Sequence, residues 1–295
     1  MKAGFVALIG VPNVGKSTLL NALLKFQLSI VSPSPQTTRH KLLGILNGKD
    51  YQICFQDTPG WLDRAADKLQ DVLIKATRSA VKQDADLLIV LVEPSTPTPE
   101  TLAQIGKLAA AGKPLILAVN KCDLVRDKER REKTAAAYRK VLPPSDTHFI
   151  SALKKIGIKE LLDAIVARLP ESPAYYGDDW LSDRWERFFV TELIRQTVFG
   201  QYRDEIPHAC AVAIENYKEK QGRPDEIEAI LYVEKSTQKG VVLGKKGLAI
   251  KKLRERSQTA IENFLGRKVR LEIWVKVRRN WRRDKRALKE LGYTV

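Results

Sequence analysis

The run GVPNVGKS at residues 10–17 constrains this chain more than any other stretch. It follows the apolar segment FVALIG (5–10) and leads directly into the helical stretch STLLNALL. A buried strand, a glycine turn and a helix in that order are the opening of a three-layer α/β unit. The spacing G-x4-G-K-S also specifies a chemistry. Gly10 and Gly15 let backbone N–H groups turn inward around phosphates without Cβ interference. Lys16 reaches the β- and γ-phosphates, Ser17 offers its hydroxyl to Mg²⁺, and the helix N-terminus adds partial positive charge. Pro12, Asn13, Val14 and Thr18 complete the expected nucleotide loop.

The pattern that follows fits this opening. Strand-like runs at 41–46, 51–56, 87–92, 115–120 and 147–150 alternate with helical periodicity near 67–83, 98–111, 127–141 and 158–168. The expectation is an α/β fold with a mostly parallel sheet. Asn47-Gly48 between KLLGIL and YQICFQ is a hairpin signal, so one edge strand is expected to run antiparallel.

Three further motifs fall at predicted strand ends, where open α/β sheets bind ligands. DTPG (57–60) places Asp57 to hold Mg²⁺ and the Gly60 amide to meet a γ-phosphate. NKCD (120–123) selects guanine: the Asp123 carboxylate accepts from both N1–H and the exocyclic amine, a donor pair adenine lacks. Asn120 and Lys121 brace that loop and cover the base. Ser151, Ala152 and Leu153, after THFI, bring backbone toward the guanine oxygen. In this order the motifs resemble those of the translation-factor-type GTPases. The resemblance implies a switch threonine in SPSPQTTRHKLLG: Thr38, with Thr37 as the adjacent alternative, would bind Mg²⁺ only with GTP, making 28–41 a mobile loop. Lys16, Thr38 and Gly60 are then the residues expected at the transferred phosphoryl group. Trp61 stands where many GTPases carry a water-orienting glutamine, so slow intrinsic hydrolysis is expected. Asn13 resembles the asparagine with which one branch of GTPases holds K⁺.

PESPAYYGDDW (170–180) breaks the pattern, and residues 171–182 read as a linker between domains at 1–170 and 183–295. The second reads as helix, two strands, a glycine loop with helices (244–265), a strand and a basic last helix, a small α+β domain. Charge is unevenly spread: the chain carries +16 overall, residues 171–234 a net −7 and residues 235–295 a net +14. A block that basic implies a polyanionic partner, nucleic acid or an anionic membrane. The acidic stretch, Asp178, Asp179 and Asp183 among it, could shield the basic face when no polyanion is bound.

GVVLGKKGLAIKKL (240–253) lacks the G-x4-G spacing and the hydroxyl of a second nucleotide loop. G-x-x-G between helices is the backbone clamp of KH domains, which hold single-stranded nucleotides. Gly244 and Gly247 allow close approach, and Lys245, Lys246 and Lys251 supply charge. Ile250, with Leu253, Val242 and Leu243, would form an apolar floor for bases. Trp281 and the run KVRRNWRRDKR are expected to extend this surface, whereas Trp274, in an alternating strand, is expected in the core. The cysteines, Cys54, Cys122 and Cys210, show neither disulfide nor zinc spacing, and LLIVLV (87–92) is too short to span a membrane. A catalytic set for RNA modification is absent from the C-terminal half, where His208 stands alone beside Pro207.

The two halves together resemble the Era family of bacterial GTPases along essentially the whole chain, through GVPNVGKSTLLNALL, QTTRH, DTPG, NKCD, GKKGLAIK and LEIWVKV. The resemblance implies a small GTPase domain followed by a type II KH domain, GTP or GDP with Mg²⁺ as ligands, and K⁺ as a further candidate. It also implies binding near the 3′ end of 16S ribosomal RNA during 30S subunit assembly, a cytoplasmic monomer, and some peripheral association with the membrane. A membrane-surface GTPase using its basic domain is the rival reading.

Overall fold

The computed structural model describes residues 1–32, 34–61, 65–109, 112–142 and 146–293. These divide into two compact units, residues 1–65 with 70–183 and residues 66–69 with 184 onward.

The first unit runs β1 (Lys2–Ile9), α1 (Lys16–Leu24), β2 (Leu42–Asn47), β3 (Tyr51–Asp57), α2 (Lys68–Ser79), β4 (Leu87–Val92), α3 (Pro99–Ala109), β5 (Leu115–Val119), α4 (Lys128–Arg139), β6 (Asp146–Phe149) and α5 (Ile158–Arg168). The sheet order is β2-β3-β1-β4-β5-β6. Among the described strands only β2 runs antiparallel to its neighbour, through the hairpin that Gly48 closes by donating to the Tyr51 carbonyl at 2.9 Å. β4 and β5 are buried at every position, because parallel strands covered on both faces need unbroken apolar runs. β1 lies between β3 and β4, where the strand order reverses. A crevice therefore opens beyond its C-terminal end, and the 10–17 loop occupies it. α2 is shorter than its periodicity suggests and passes into a π-turn at Ala80–Asp84.

The segment read as a linker is a strap along the first unit. Leu181 accepts from the Ile45 amide at 2.9 Å, and Ser182 Oγ donates to the Leu43 carbonyl at 2.6 Å. The Gln52 side chain, fully buried, donates to the Tyr176 carbonyl and accepts from the amides of Tyr175 and Tyr176. The edge strand β2 thus has two of its outer backbone groups, the Ile45 amide and the Leu43 carbonyl, paired by chain that composition alone marks as loose.

The second unit contains α6 (Glu186–Gln201), α7 (Ile206–Ala209), β7 (Ala211–Lys218), β8 (Asp225–Val233), α8 (Ser236–Leu243), α9 (Leu248–Leu265), β9 (Val269–Val277) and α10 (Lys285–Glu290). β8 pairs antiparallel with β7 and parallel with β9. Ile227, Ala229, Leu231 and Val233, at period two on β8, share a core with Val190 and Ile194 of α6 and Leu253 and Ile261 of α9. The two tryptophan expectations are both reversed here. Val269, Leu271 and Val275 of β9 join that core, so Trp274 has the opposite parity and is 60% exposed. Trp281 is fully buried, donates its indole N–H to the Ala209 carbonyl at 2.9 Å and stacks on Tyr293.

Candidate functional site

The four motifs of the first unit converge on a cavity of about 470 Å³. Pro12, Asn13, Gly15, Lys16, Ser17, Thr18, Thr38, Gly60, Asn120, Lys121, Asp123, Ser151 and Leu153 line it. Gly10, Val14, Asp57 and Ala152 lie buried beneath that lining. The cavity also takes in Ile30, Val31, Ser32, Gln36 and Leu124, which the sequence reading did not single out. Leu124 and Leu153 are more than 70% exposed at its mouth beside Asp123, an apolar surface suited to the faces of a base.

Gly15 shows why the loop needs glycine. Its φ of +97° is left-handed, and a Cβ there would meet Asn120 Nδ2 at 2.4 Å. Asn120 uses that proximity: Nδ2 donates to the Val14 carbonyl at 2.7 Å, and Oδ1 accepts from the Ala152 amide at 2.9 Å. Lys121, also at positive φ, donates to Glu93 at the end of β4. The guanine-selecting loop is thereby tied to the phosphate loop, to the 151–153 turn and to β4.

Lys16 is buried and donates to the carbonyls of Gly10 at 3.1 Å and Val11 at 3.0 Å. Burial pushes its ammonium down to about 8, and the Asp57 carboxylate opposes that shift. Burial likewise raises Asp57, against the hydrogen bonds of Ser17 and Ser29 and the charge of Lys16. Both groups are held in a place that disfavours their charged forms, so each gains from a counter-charge: phosphate for Lys16, a cation for Asp57.

The residues fit Mg²⁺. Asp57 Oδ2 accepts hydroxyls from Ser17 and Ser29, each at 2.7 Å, while Oδ1 is buried without a partner. A fully buried carboxylate with one such oxygen suits a hydrated divalent ion. Ser17 Oγ also lies 2.9 Å from Thr38 Oγ1. Thr37 lines the cavity as well, but its hydroxyl donates to the Ser34 carbonyl at 2.7 Å, so of the two it is the Thr38 hydroxyl that meets Ser17.

Trp61 packs into the core with Ala7, Ile9 and Val81, while its amide donates to the Gly10 carbonyl at 3.0 Å. Its ring therefore lies in the core, and no side-chain amide or carboxylate stands at that position.

In the second unit, α8 stops at Gly244, whose φ is +68°, and α9 begins after Gly247, at +76°. Lys245 and Lys246 stand exposed between them, with Lys251 exposed on the first turns of α9. The amides at the N-terminus of this 18-residue helix add to their positive field. Ile250 is half-buried against the core. Val242 and Leu253 are fully buried core residues and cannot floor a base-binding surface. The exposed apolar residues beside the loop are Val241 and Leu248, 54% and 65% exposed, which periodicity alone did not distinguish from core.

Comparison with known proteins agrees with this geometry. Residues 5–121 match the family described as 50S ribosome-binding GTPase, and residues 205–282 match the KH domain. The GTPase Era of Caldanaerobacter subterraneus is 41% identical over 296 residues, covering 100% of this chain and 98% of the relative. The chloroplastic GTPase ERA1 of Zea mays is 42% identical across 99% of this chain and 70% of its own length. An Aquifex aeolicus Era variant bound to GDP·AlF4⁻ superposes with a TM-score of 0.95 at 32% identity, covering both chains fully. Era in complex with MgGDPNP and nucleotides 1506–1542 of 16S ribosomal RNA gives 0.94 at 32% identity, again over both full chains. With the nucleotide cavity in one unit and the glycine-lysine loop in the other, the chain belongs to the GTPase Era family.

Proposed function

We propose that this GTPase is a timer whose output is affinity for single-stranded RNA near the 3′ end of 16S ribosomal RNA, used in assembly of the 30S subunit. The observation that carries the reading is the pair of exposed lysines, Lys245 and Lys246, set between two glycines at positive φ at the head of α9. A running sugar-phosphate strand needs that close approach and that charge, whereas lipid attraction needs only the charge. The related Era structure that holds 16S nucleotides supports the choice.

Ser17, Thr38 and Asp57 would hold Mg²⁺, which when bound screens the charge of the β- and γ-phosphates. Lys16 neutralises the same phosphates from the loop side. Gly60 offers its amide to the γ-phosphate, and Asp123 reads the base. Asn13, in the phosphate loop at a φ of +65°, is a candidate K⁺ ligand. Equal GTP turnover in sodium and potassium would remove K⁺ from this account. The protein acts in the cytoplasm as a monomer, with peripheral attachment to the inner membrane through its basic surface. No helix among the described residues is long and apolar enough to cross a membrane.

The deciding experiment crosslinks the purified protein to total cellular RNA with GTP or with GDP bound and sequences the fragments. Enrichment of the 16S 3′ region in one nucleotide state is expected. Diffuse capture independent of nucleotide would reduce the basic domain to a simple polycation.

A further inference from the structure

Ser29 lies outside every motif, yet it touches the centre of the site. It is 3% exposed, and its hydroxyl donates to Asp57 Oδ2 at 2.7 Å. Its backbone is fixed from α1: Asn21 Nδ2 donates to the Ser29 carbonyl at 2.8 Å, and Asn21 Oδ1 accepts from the amides of Leu28 at 3.0 Å and Ser29 at 2.8 Å. The phosphate-loop helix, the start of the 28–41 loop and the end of β3 therefore meet at one carboxylate.

Two hydroxyls on the same oxygen, Ser17 from α1 and Ser29 from the loop after it, fix the carboxylate's rotation and leave Oδ1 without a partner. Buried carboxylates that serve cations are commonly oriented by such outer hydrogen bonds. Ser17 donates its one hydroxyl hydrogen to Asp57 and accepts from Thr38 at 2.9 Å, so its position is tied to the switch loop as well. Ser29 has no such second role among the bonds described. We infer that Ser29 is a positioning residue for the magnesium site: it holds Asp57 Oδ2 so that Oδ1 is kept for the hydrated ion, and Asn21 holds Ser29.

This inference rests on Mg²⁺ binding at Asp57. The test uses the full chain and fluorescent N-methylanthraniloyl-GDP, whose release is followed as Mg²⁺ is titrated, with EDTA as the zero point. Ser29→Ala is expected to raise the Mg²⁺ concentration for half-maximal GDP retention about tenfold. Release in EDTA should stay as in the wild type, and Ser29→Thr should restore the midpoint. In an Asp57→Ala background, Ser29→Ala should shift nothing further. Should the alanine variant not fold, Ser29→Cys tests the same point with a weak donor of similar size. A lowered melting temperature with an unmoved Mg²⁺ midpoint, or an equal loss with and without Mg²⁺, would overturn the inference in favour of a purely structural serine. A wild-type protein whose GDP release ignores Mg²⁺ would instead overturn the underlying site assignment.

Discussion

The Asn120 side chain bonds the Val14 carbonyl at 2.7 Å and the Ala152 amide at 2.9 Å, so one amide group joins three loops more than thirty residues apart in sequence. It is 2% exposed. Asn120→Ala would leave a carbonyl and an amide without partners, at a cost of about 1–3 kcal/mol for each group that stays dry. Weaker GDP binding and a lower melting temperature are expected together, and calorimetry with GDP reads both. Normal GDP affinity in the variant would show that the loops hold their places without it.

Asp123 gives a sharper test, because its role depends on the base alone. Asp123→Asn replaces an acceptor pair with one acceptor and one donor, which suits xanthine better than guanine. GTP affinity should fall by roughly 10⁴-fold while XTP becomes the better ligand. Competition of the two nucleotides for a fluorescent analogue measures the exchange, and an unchanged preference would move base recognition elsewhere.

The two glycines of the second loop separate folding from binding. A Cβ at Gly244 would meet the Ala249 Cβ at 2.6 Å, so substitutions there damage the fold. At Gly247 nothing lies within 4 Å, and only the left-handed φ opposes a side chain, at about 1 kcal/mol. Gly247→Asp should therefore fold, retain GTP hydrolysis and lose binding to a single-stranded oligonucleotide in a filter assay. Retained binding would place the RNA surface away from this loop.

The tryptophans should behave oppositely. Trp281→Ala removes a fully buried ring and its indole hydrogen bond, a loss of about 3–5 kcal/mol. Trp274→Ala, on the exposed face of β9, should stay within about 0.5 kcal/mol of wild type. Denaturant titration compares the two. A large loss at Trp274 would mean that its strand parity differs from the one described.

Acid should weaken the second unit through Arg267. That guanidinium bonds Glu186 at 3.0 Å and Asp225 at 2.7 Å. Its hydrogen bonds hold Glu186 below the usual carboxylate range. Burial pushes Asp225 up, but Arg267 and the Lys220 amide outweigh it and hold that carboxyl low as well. Depressed carboxyl values mean stability that is complete above the unfolded values near 4 and is lost as pH falls through the lower folded ones. Arg267→Gln should lower the melting temperature at pH 7 and have little effect near pH 2. An equal effect at both pH values would assign the loss to packing.

Much of the nucleotide site was legible because its chemistry is local. A loop that wraps phosphate must spend consecutive residues on it, and GVPNVGKS, DTPG and NKCD each carry their geometry within a few positions. What sequence hid was non-local. Ser29 meets Asp57 across 28 residues, and no spacing rule announces that contact. The tryptophans were misread for a related reason. Alternation fixes which β9 residues share a face, but not which face the helices cover, and Val269, Leu271 and Val275 settle that only once α9 is in place. Val242 and Leu253 were drawn to the binding surface by their nearness to the glycines, whereas the core claimed them and left Val241 and Leu248 outside.

The strap over β2 has a practical consequence. A sheet edge with open N–H and C=O groups is a template for pairing with other chains. Here Leu181 and Ser182 occupy part of that edge, and Gln52 fastens the strap one strand further in. A shortened protein cut at residue 170, where the composition changes, would present a bare strand to its neighbours and invite fibrils or domain exchange. The natural seam for dissection or fusion lies after residue 183, so the sequence's most linker-like stretch travels with the nucleotide-binding half.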